Sequence, residues 1–398
     1  LIYIMKKMSI LYFTNFEIKL LQTFLNKYSN PDNFITENSS QLDIQGFYLY
    51  KSIHNDNNYM FILAKFYQSI NRNSDSIRWL AEASKRNNME ASENLYEKII
   101  DSFYSKNKKK LFEISLSICE NENWKYCFSN FIEILAKCYS NGIGTTINID
   151  QAKLWFKRGI LRDNINCLCN YALLIMKEGR ELKNLGFVEY GEKCINEGVK
   201  YILEAKEKEP RNNFVNLRLF DMLIHGEGIK QDYIKGYELL LDILSGQGYH
   251  GAAYFHIGLF YSGEYHMDIQ KYPNFPRDVI KIDRQLAFCY FKKSANNSSI
   301  NGIVYMARIL ENLVIPEIYF GYSDIIPLNM KKSFTYYEKG FQRFNPECCY
   351  KAGLFYENYG KYAGVVEQNY EKAKERYKRG AECGDINCIS RLNEIELL

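Results

Sequence analysis

The chain has little that breaks a backbone: 7 prolines and 24 glycines in 398 residues. Linkers rich in Pro and Gly are therefore scarce. No uninterrupted apolar run reaches the ~18 residues a membrane span needs. Lys6 and Lys7 interrupt the apolar stretch from Leu1 to Phe13, and no small-residue cleavage site follows it. Charge of one sign is scarce too. Lys+Arg 51 against Asp+Glu 47 leaves +4, too weak an excess to point by itself to nucleic acid or an anionic membrane. Strand signals are lacking throughout. The 11 cysteines are odd in number and carry no metal-site rhythm, so they read as reduced thiols and the expected compartment is the cytoplasm. Aromatic residues, by contrast, abound, with 33 Tyr and 25 Phe. At 46% hydrophobic residues the chain can pack a core, which excludes a disordered tail protein.

The chain repeats itself. Small residues stand at Ala152, Gly159 and Cys167, seven and then eight apart. The same spacing recurs at Ser76, Ala83 and Ala91; at Ala287, Ser294 and Gly302; at Ser333, Gly340 and Cys348; and at Ala373, Gly380 and Cys388. Three residues after the first small one comes a mostly bulky position, held by Trp79, Trp155, Tyr201, Leu239, Tyr290 and Tyr336 among others. Eight copies of variable length follow, with a degenerate ninth over residues 10–57. Each copy reads as two helices. Helix A, such as Phe131 to Tyr139, ends at a Gly142-x-Gly144 turn that supplies positive φ. Asp150 is the expected N-cap of helix B. No copy can bury its apolar face alone, so the hairpins must stack.

Leu135 to Gly144, Asp150-Gln151-Ala152 and Trp155 to Gly159 together resemble the Sel1-like repeat, a relative of the tetratricopeptide repeat. Ile224 to Asp232 repeats the loop portion, and Ala287 to Ala295 and Ala373 to Ala381 repeat the helix-B portion. The resemblance implies an all-α fold, a right-handed α/α superhelical solenoid of about eight or nine helix-turn-helix repeats, and a non-enzymatic scaffold or adaptor. It divides the chain into a degenerate N-terminal repeat or cap (1–57), a repeat array (58–384) and a C-terminal capping helix (385–398). The array carries long A–B loops at 177–197, 262–286 and 311–332. Cys119 and Cys127, eight apart, are similar in spacing to the disulfide that staples each repeat in a secreted branch of the family, but the other copies lack such a pair. Other readings are a secreted or host-directed effector of the same repeat class, a β-lactam-binding or hydrolysing enzyme like that branch, and a helical-repeat RNA binder.

Candidate chemistry yields to packing in most places. Cys127, Cys167, Cys348 and Cys388 occupy the small-residue column. His250, His256 and His266 are six and ten apart, the wrong spacing for a ligand pair on one helix face. No nucleophile–base pattern, cofactor motif or metal site emerges, so catalytic, cofactor and metal residues are expected to be none. The residues that the repeat does not need lie in the long loops. Residues 264–284 carry Tyr265, Tyr272 and Phe275, and residues 315–329 carry Tyr319, Phe320 and Tyr322. These aromatics either fold back to seal the edge of the stack or anchor a protein or peptide partner, together with a concave surface lined by A helices. The expected partner is a protein or peptide, with no membrane insertion and no nucleic acid.

Overall fold

The computed structural model describes residues 14–28, 31–34, 39–53, 56–99, 108–120, 127–246, 250–263, 265, 275–311 and 326–396. Among them there are nineteen α-helices and no strand. In chain order they are α1 Asn15–Lys27, α2 Gln41–Ile53, α3 Asn57–Ser69, α4 Asn73–Lys85, α5 Met89–Ile99, α6 Lys108–Cys119, α7 Ser129–Asn141, α8 Ile149–Ile160, α9 Ile165–Asn184 and α10 Val188–Lys208. Then follow α11 Asn213–His225, α12 Tyr233–Ser245, α13 Gly251–Ser262, α14 Arg284–Asn296, α15 Ile300–Leu310, α16 Met330–Phe341, α17 Pro346–Glu357, α18 Tyr370–Glu382 and α19 Ile386–Glu396. Taken two by two they make nine A–B pairs and one last A helix, the α/α solenoid pattern that the repeat implies. The chain forms two compact units, Leu1–Leu168 and Cys169–Leu398.

The seven-then-eight spacing of small residues has a direct structural cause. The second small residue lies on helix B and the third on the next helix A, where the two helices touch. A Cβ added to Gly159 would stand 2.2 Å from the Cys167 sulfur, and one on Gly340 would stand 2.2 Å from that of Cys348. Neither fits without displacing a packed neighbour. The turn between them has a fixed length because it is closed by the same bonds each time. Asn164 donates its N–H to the Gly159 carbonyl at 3.0 Å, Asn345 to Gly340 at 3.1 Å, and Asp385 to Gly380 at 3.1 Å. The side chains of these residues in turn accept the N–H of Cys167, Cys348 and Cys388, capping the A helix that begins there.

The A–B connection varies in length, yet in five pairs its base is identical. Asn148 N–H donates to Tyr139 O at 2.8 Å, Asp232 to Leu223 at 3.0 Å and Asp283 to Tyr261 at 2.9 Å. Asn329 donates to Leu310 and Asn369 to Tyr356, both at 2.8 Å. Each of these Asx side chains accepts from the third helical N–H, those of Gln151, Lys235, Leu286, Lys332 and Lys372, at 2.9–3.0 Å. One residue thus ties the start of B to the end of A and caps B as well. The expected cap, Asp150, instead lies in the first turn of α8, one position inside the helix, where its carboxylate favours the positive end of the helix dipole. Gly142 takes φ +68° and ends α7 as the sequence suggested.

Candidate partner-binding surface

Three buried carboxylates of the interior are each met by donors. Glu311 and Glu357 are buried carboxylates at the ends of α15 and α17. Tyr337 donates its hydroxyl to Glu311 at 2.7 Å, and Tyr362 does so as well. Lys361 adds an ion pair at 2.8 Å. Tyr377 donates to Glu357 at 2.8 Å, beside the Arg391 guanidinium. In the first unit Glu17 plays the same part, accepting from Tyr67 at 2.8 Å and the Trp79 indole at 2.9 Å. Burial pushes the Glu17 carboxyl up, but the Arg78 guanidinium, the Thr14 amide and the Trp79 indole outweigh it and hold it below the usual carboxylate range. These carboxylates are occupied by their donors and serve packing.

The thiols of the small-residue column are similarly absorbed. Cys127, Cys167, Cys348 and Cys388 are buried in the contact column, and burial raises the thiols of Cys167, Cys348 and Cys388. The Cys119 and Cys127 sulfurs lie 3.9 Å apart as free thiols. His256 packs against Phe220 with ring centroids 4.7 Å apart and the rings tilted by 56°. Burial, aided by His225 and Arg218, lowers it to about 4. Among the described residues no group of three His, Cys, Asp or Glu side chains is placed to hold a metal ion.

The surface at the A–B ends of the second unit differs. Large apolar side chains stand exposed there: Val279 and Ile282 before α14, Leu328 before α16, and Leu185, Phe187, Val188 and Tyr190 at the α9–α10 turn. The aromatics expected to anchor a partner divide. Tyr265 and Phe275 are 3% and 4% exposed and stack on one another at 5.5 Å, against Tyr233 and Phe260. Arg277 lies over the Phe275 ring and donates to the carbonyls of Phe275 and Tyr265. The faces of these two rings are covered by the unit's own core. Tyr272, Tyr319, Phe320 and Tyr322 lie outside the described residues.

The stretch 177–197, expected as a long loop, is helical but for residues 185–187, since α9 runs on to Asn184 and α10 begins at Val188. Glycines allow it. A Cβ on Gly179 would stand 2.6 Å from the Gly191 carbonyl oxygen, so the two helices run at backbone contact. The exposed tip of this hairpin was missed in the sequence because its residues were counted as loop.

No helix among the described residues is long and apolar enough to cross a membrane. The Sel1 repeat pattern matches residues 134–164, 216–241, 276–299 and 346–385, which fall on α7–α8, α11–α12, α14 with the segment before it, and α17–α18. No curated protein matches the chain. Several solved structures are similar, two of them as follows. A Sel1 repeat protein from Oxalobacter formigenes is 17% identical, with 74% of this chain and 100% of that chain covered and a TM-score of 0.46. The protein c5321, a protective antigen present in uropathogenic Escherichia coli strains that displays an SLR fold, is 14% identical, with 98% of this chain and 73% of that chain covered and a TM-score of 0.39.

Proposed function

Because the chain carries Sel1 repeats, we propose that it is a non-enzymatic scaffold that holds a protein or peptide partner at the A–B ends of its second unit. The observation that carries the reading is the exposure of Val279 (71%), Ile282 (38%) and Leu328 (57%) at the ends of the long connections after α13 and α15. A solvated loop gains nothing from such side chains, whereas a partner that covers them gains roughly 25 cal/mol for each Å² of apolar surface removed from water. In this reading Tyr272, Tyr319, Phe320 and Tyr322 supply the aromatic anchors, and the A helices supply the floor of a concave face. The cytoplasm is the proposed compartment. No catalytic residue is part of the proposal, because the buried carboxylates and thiols are committed to packing.

The test is an affinity pull-down from lysate of the source cell. It compares the native chain with a variant carrying Val279→Ser, Ile282→Ser and Leu328→Ser and with a second carrying Tyr319→Ser, Phe320→Ser and Tyr322→Ser. Circular dichroism first establishes equal folding. Proteins retained by the native chain and lost from both variants are the expected result. Identical retention by all three would remove the A–B ends from the function. Turnover of a chromogenic β-lactam by the pure protein would overturn the non-enzymatic reading.

A further inference from the structure

The B helices of the second unit change sign part-way along the repeat. α14, α16 and α18 hold eleven Lys or Arg against four Asp or Glu, whereas α10 and α12 each hold more acidic than basic residues. The change is sharpest in one column, six residues after the first small position. It reads Glu204 and Asp242 in α10 and α12, then Lys293, Lys339 and Arg379 in α14, α16 and α18. All five lie in the last two turns of their helices, away from the A–B connections. A cation there suits the negative end of the helix dipole. The carboxylates at the same place in α10 and α12 show that the helix does not require one.

Lys292 and Lys378 occupy the position just before the column. Lys292, Lys293, Lys339, Lys378 and Arg379 have no ion pair among the described residues. The acids of these helices do not offset them. Arg376 takes both Glu338 and Glu375, and Glu371 and Glu382 sit at the two ends of α18. The cations are also held in place. Lys293 lies over the rings of Tyr290 and Tyr254 at 5.3 and 5.7 Å, and Lys339 over Tyr336 at 5.2 Å. The Arg379 guanidinium lies over Phe344 at 4.1 Å. Cations positioned in this way lose less freedom when an anion binds them.

We propose that this face of α14, α16 and α18 docks a short acidic segment of a partner protein, whose Asp or Glu side chains meet Lys293, Lys339 and Arg379. Charge complementarity selects the sign, and the sign change limits the length. A long polyanion continued past α14 would meet Asp242 and Glu204 in the same column. Three helices of ~10 Å width are crossed by roughly nine extended residues. Nucleic acid fits less well, because lysines cover the rings of Tyr254, Tyr290 and Tyr336 that bases would stack on. A lipid surface finds no anchor, since α14 and α16 expose no large apolar side chain. The face lies at the opposite end of the B helices from Val279, Ile282 and Leu328. The inference therefore goes beyond the partner-binding reading and does not rest on it.

Fluorescence anisotropy of a labelled nona-glutamate peptide, titrated with the full chain at low salt, tests it. The face variant carries Lys293→Gln, Lys339→Gln and Lys378→Gln, all at exposed positions. A control variant removes the same charge elsewhere, with Lys19→Gln, Lys193→Gln and Lys230→Gln. Circular dichroism checks that both fold, and Lys293→Gln and Lys339→Gln singly stand in for the triple variant if it does not. The native chain should bind the peptide, and more weakly as salt rises. The face variant should bind roughly tenfold more weakly, each single variant about two- to threefold, and the control within about twofold of native. The variant carrying Val279→Ser, Ile282→Ser and Leu328→Ser should bind the peptide as the native chain does. Absence of binding to the native chain overturns the proposal, as does a loss no larger in the face variants than in the control. Tighter binding of a single-stranded RNA of equal length, or of phosphatidylserine vesicles, also overturns it and assigns the face to nucleic acid or membrane.

Discussion

The α9–α10 and α13–α14 pairs carry insertions of similar size between the same two points of the repeat and absorb them in opposite ways. From Met176 to Gly198 is 22 residues, and from Tyr261 to Ala287 is 26. The first insertion lengthens both helices and leaves a turn of three residues. The second leaves α14 starting at Arg284, with Asp283 tied to Tyr261 and capping the helix. The residue four before the first small position distinguishes them. It is Asn148, Asp232, Asp283, Asn329 and Asn369 in the five pairs where the tie and the cap coincide, Arg72 in α3–α4, where the same bond to the Tyr67 carbonyl forms without a side-chain cap, and Cys194 in α10. An Asx side chain there competes for the helix's own N–H groups and starts the helix. Cys194 offers no such cap, and α10 begins earlier, at Val188, whose preceding residue Phe187 makes no side-chain cap. Insertion length alone therefore says nothing about whether a connection is a loop or a projection.

The comparison can be broken most severely at the helix contact. Gly179→Val places a branched side chain 2.6 Å from the Gly191 carbonyl oxygen. It should destabilise the second unit by about 2–3 kcal/mol, the usual cost of overpacking. Thermal unfolding followed by circular dichroism will show it as a lower Tm, and an unchanged Tm would mean that the two helices do not touch. Acid should act on the other pair. His256 on α13 is held neutral, with its value lowered to about 4 from 6.5 by burial and by the nearby His225 and Arg218. An unfolded chain binds a proton there that the folded one refuses. The His256 contribution is thus fully present above pH 6.5 and is lost as pH falls from 6.5 toward 4, by something on the order of 2 kcal/mol. His256→Phe should abolish that slope in a Tm series across the window. A slope of the same size in the variant would assign it elsewhere.

Smaller effects sharpen the distinction between the two pairs. Asp283→Ala removes the cap of α14 and should cost about 1 kcal/mol in chemical denaturation. Glu189→Ala in the uncapped α10 should stay within about 0.5 kcal/mol, and so should Leu185→Ser at the exposed tip. Equal costs for Asp283→Ala and Glu189→Ala would mean that the tie does not distinguish the pairs.

The contact column was legible because its physics is local. A turn of fixed length, closed by Asn164 on Gly159, forces Gly159 and Cys167 to the same separation in sequence as Gly340 and Cys348. The Gly142 turn was legible for a similar reason, since only positive φ ends the helix there. Less legible was the cap of α8, where an acidic residue in the first turn, Asp150, imitated the cap that Asn148 provides. Tyr265 and Phe275 had the composition of exposed anchors, but their burial against Phe260 and Tyr233 depends on contacts that composition does not carry, one of them to a residue on the preceding B helix. The exposed tip at Leu185 to Tyr190 is not legible from insertion length, which is similar whether the chain loops or continues its helices.

Hydrogen exchange read by mass spectrometry tests the central claim most directly, namely that the repeat turns one insertion into a rigid helical projection and another into a tied loop. Peptides covering residues 177–184 and 189–197 should exchange slowly, as helical amides bonded within α9 and α10 do, while residues 276–282 should exchange faster before protection returns in α14. Fast exchange through the whole of 177–197 would contradict the account.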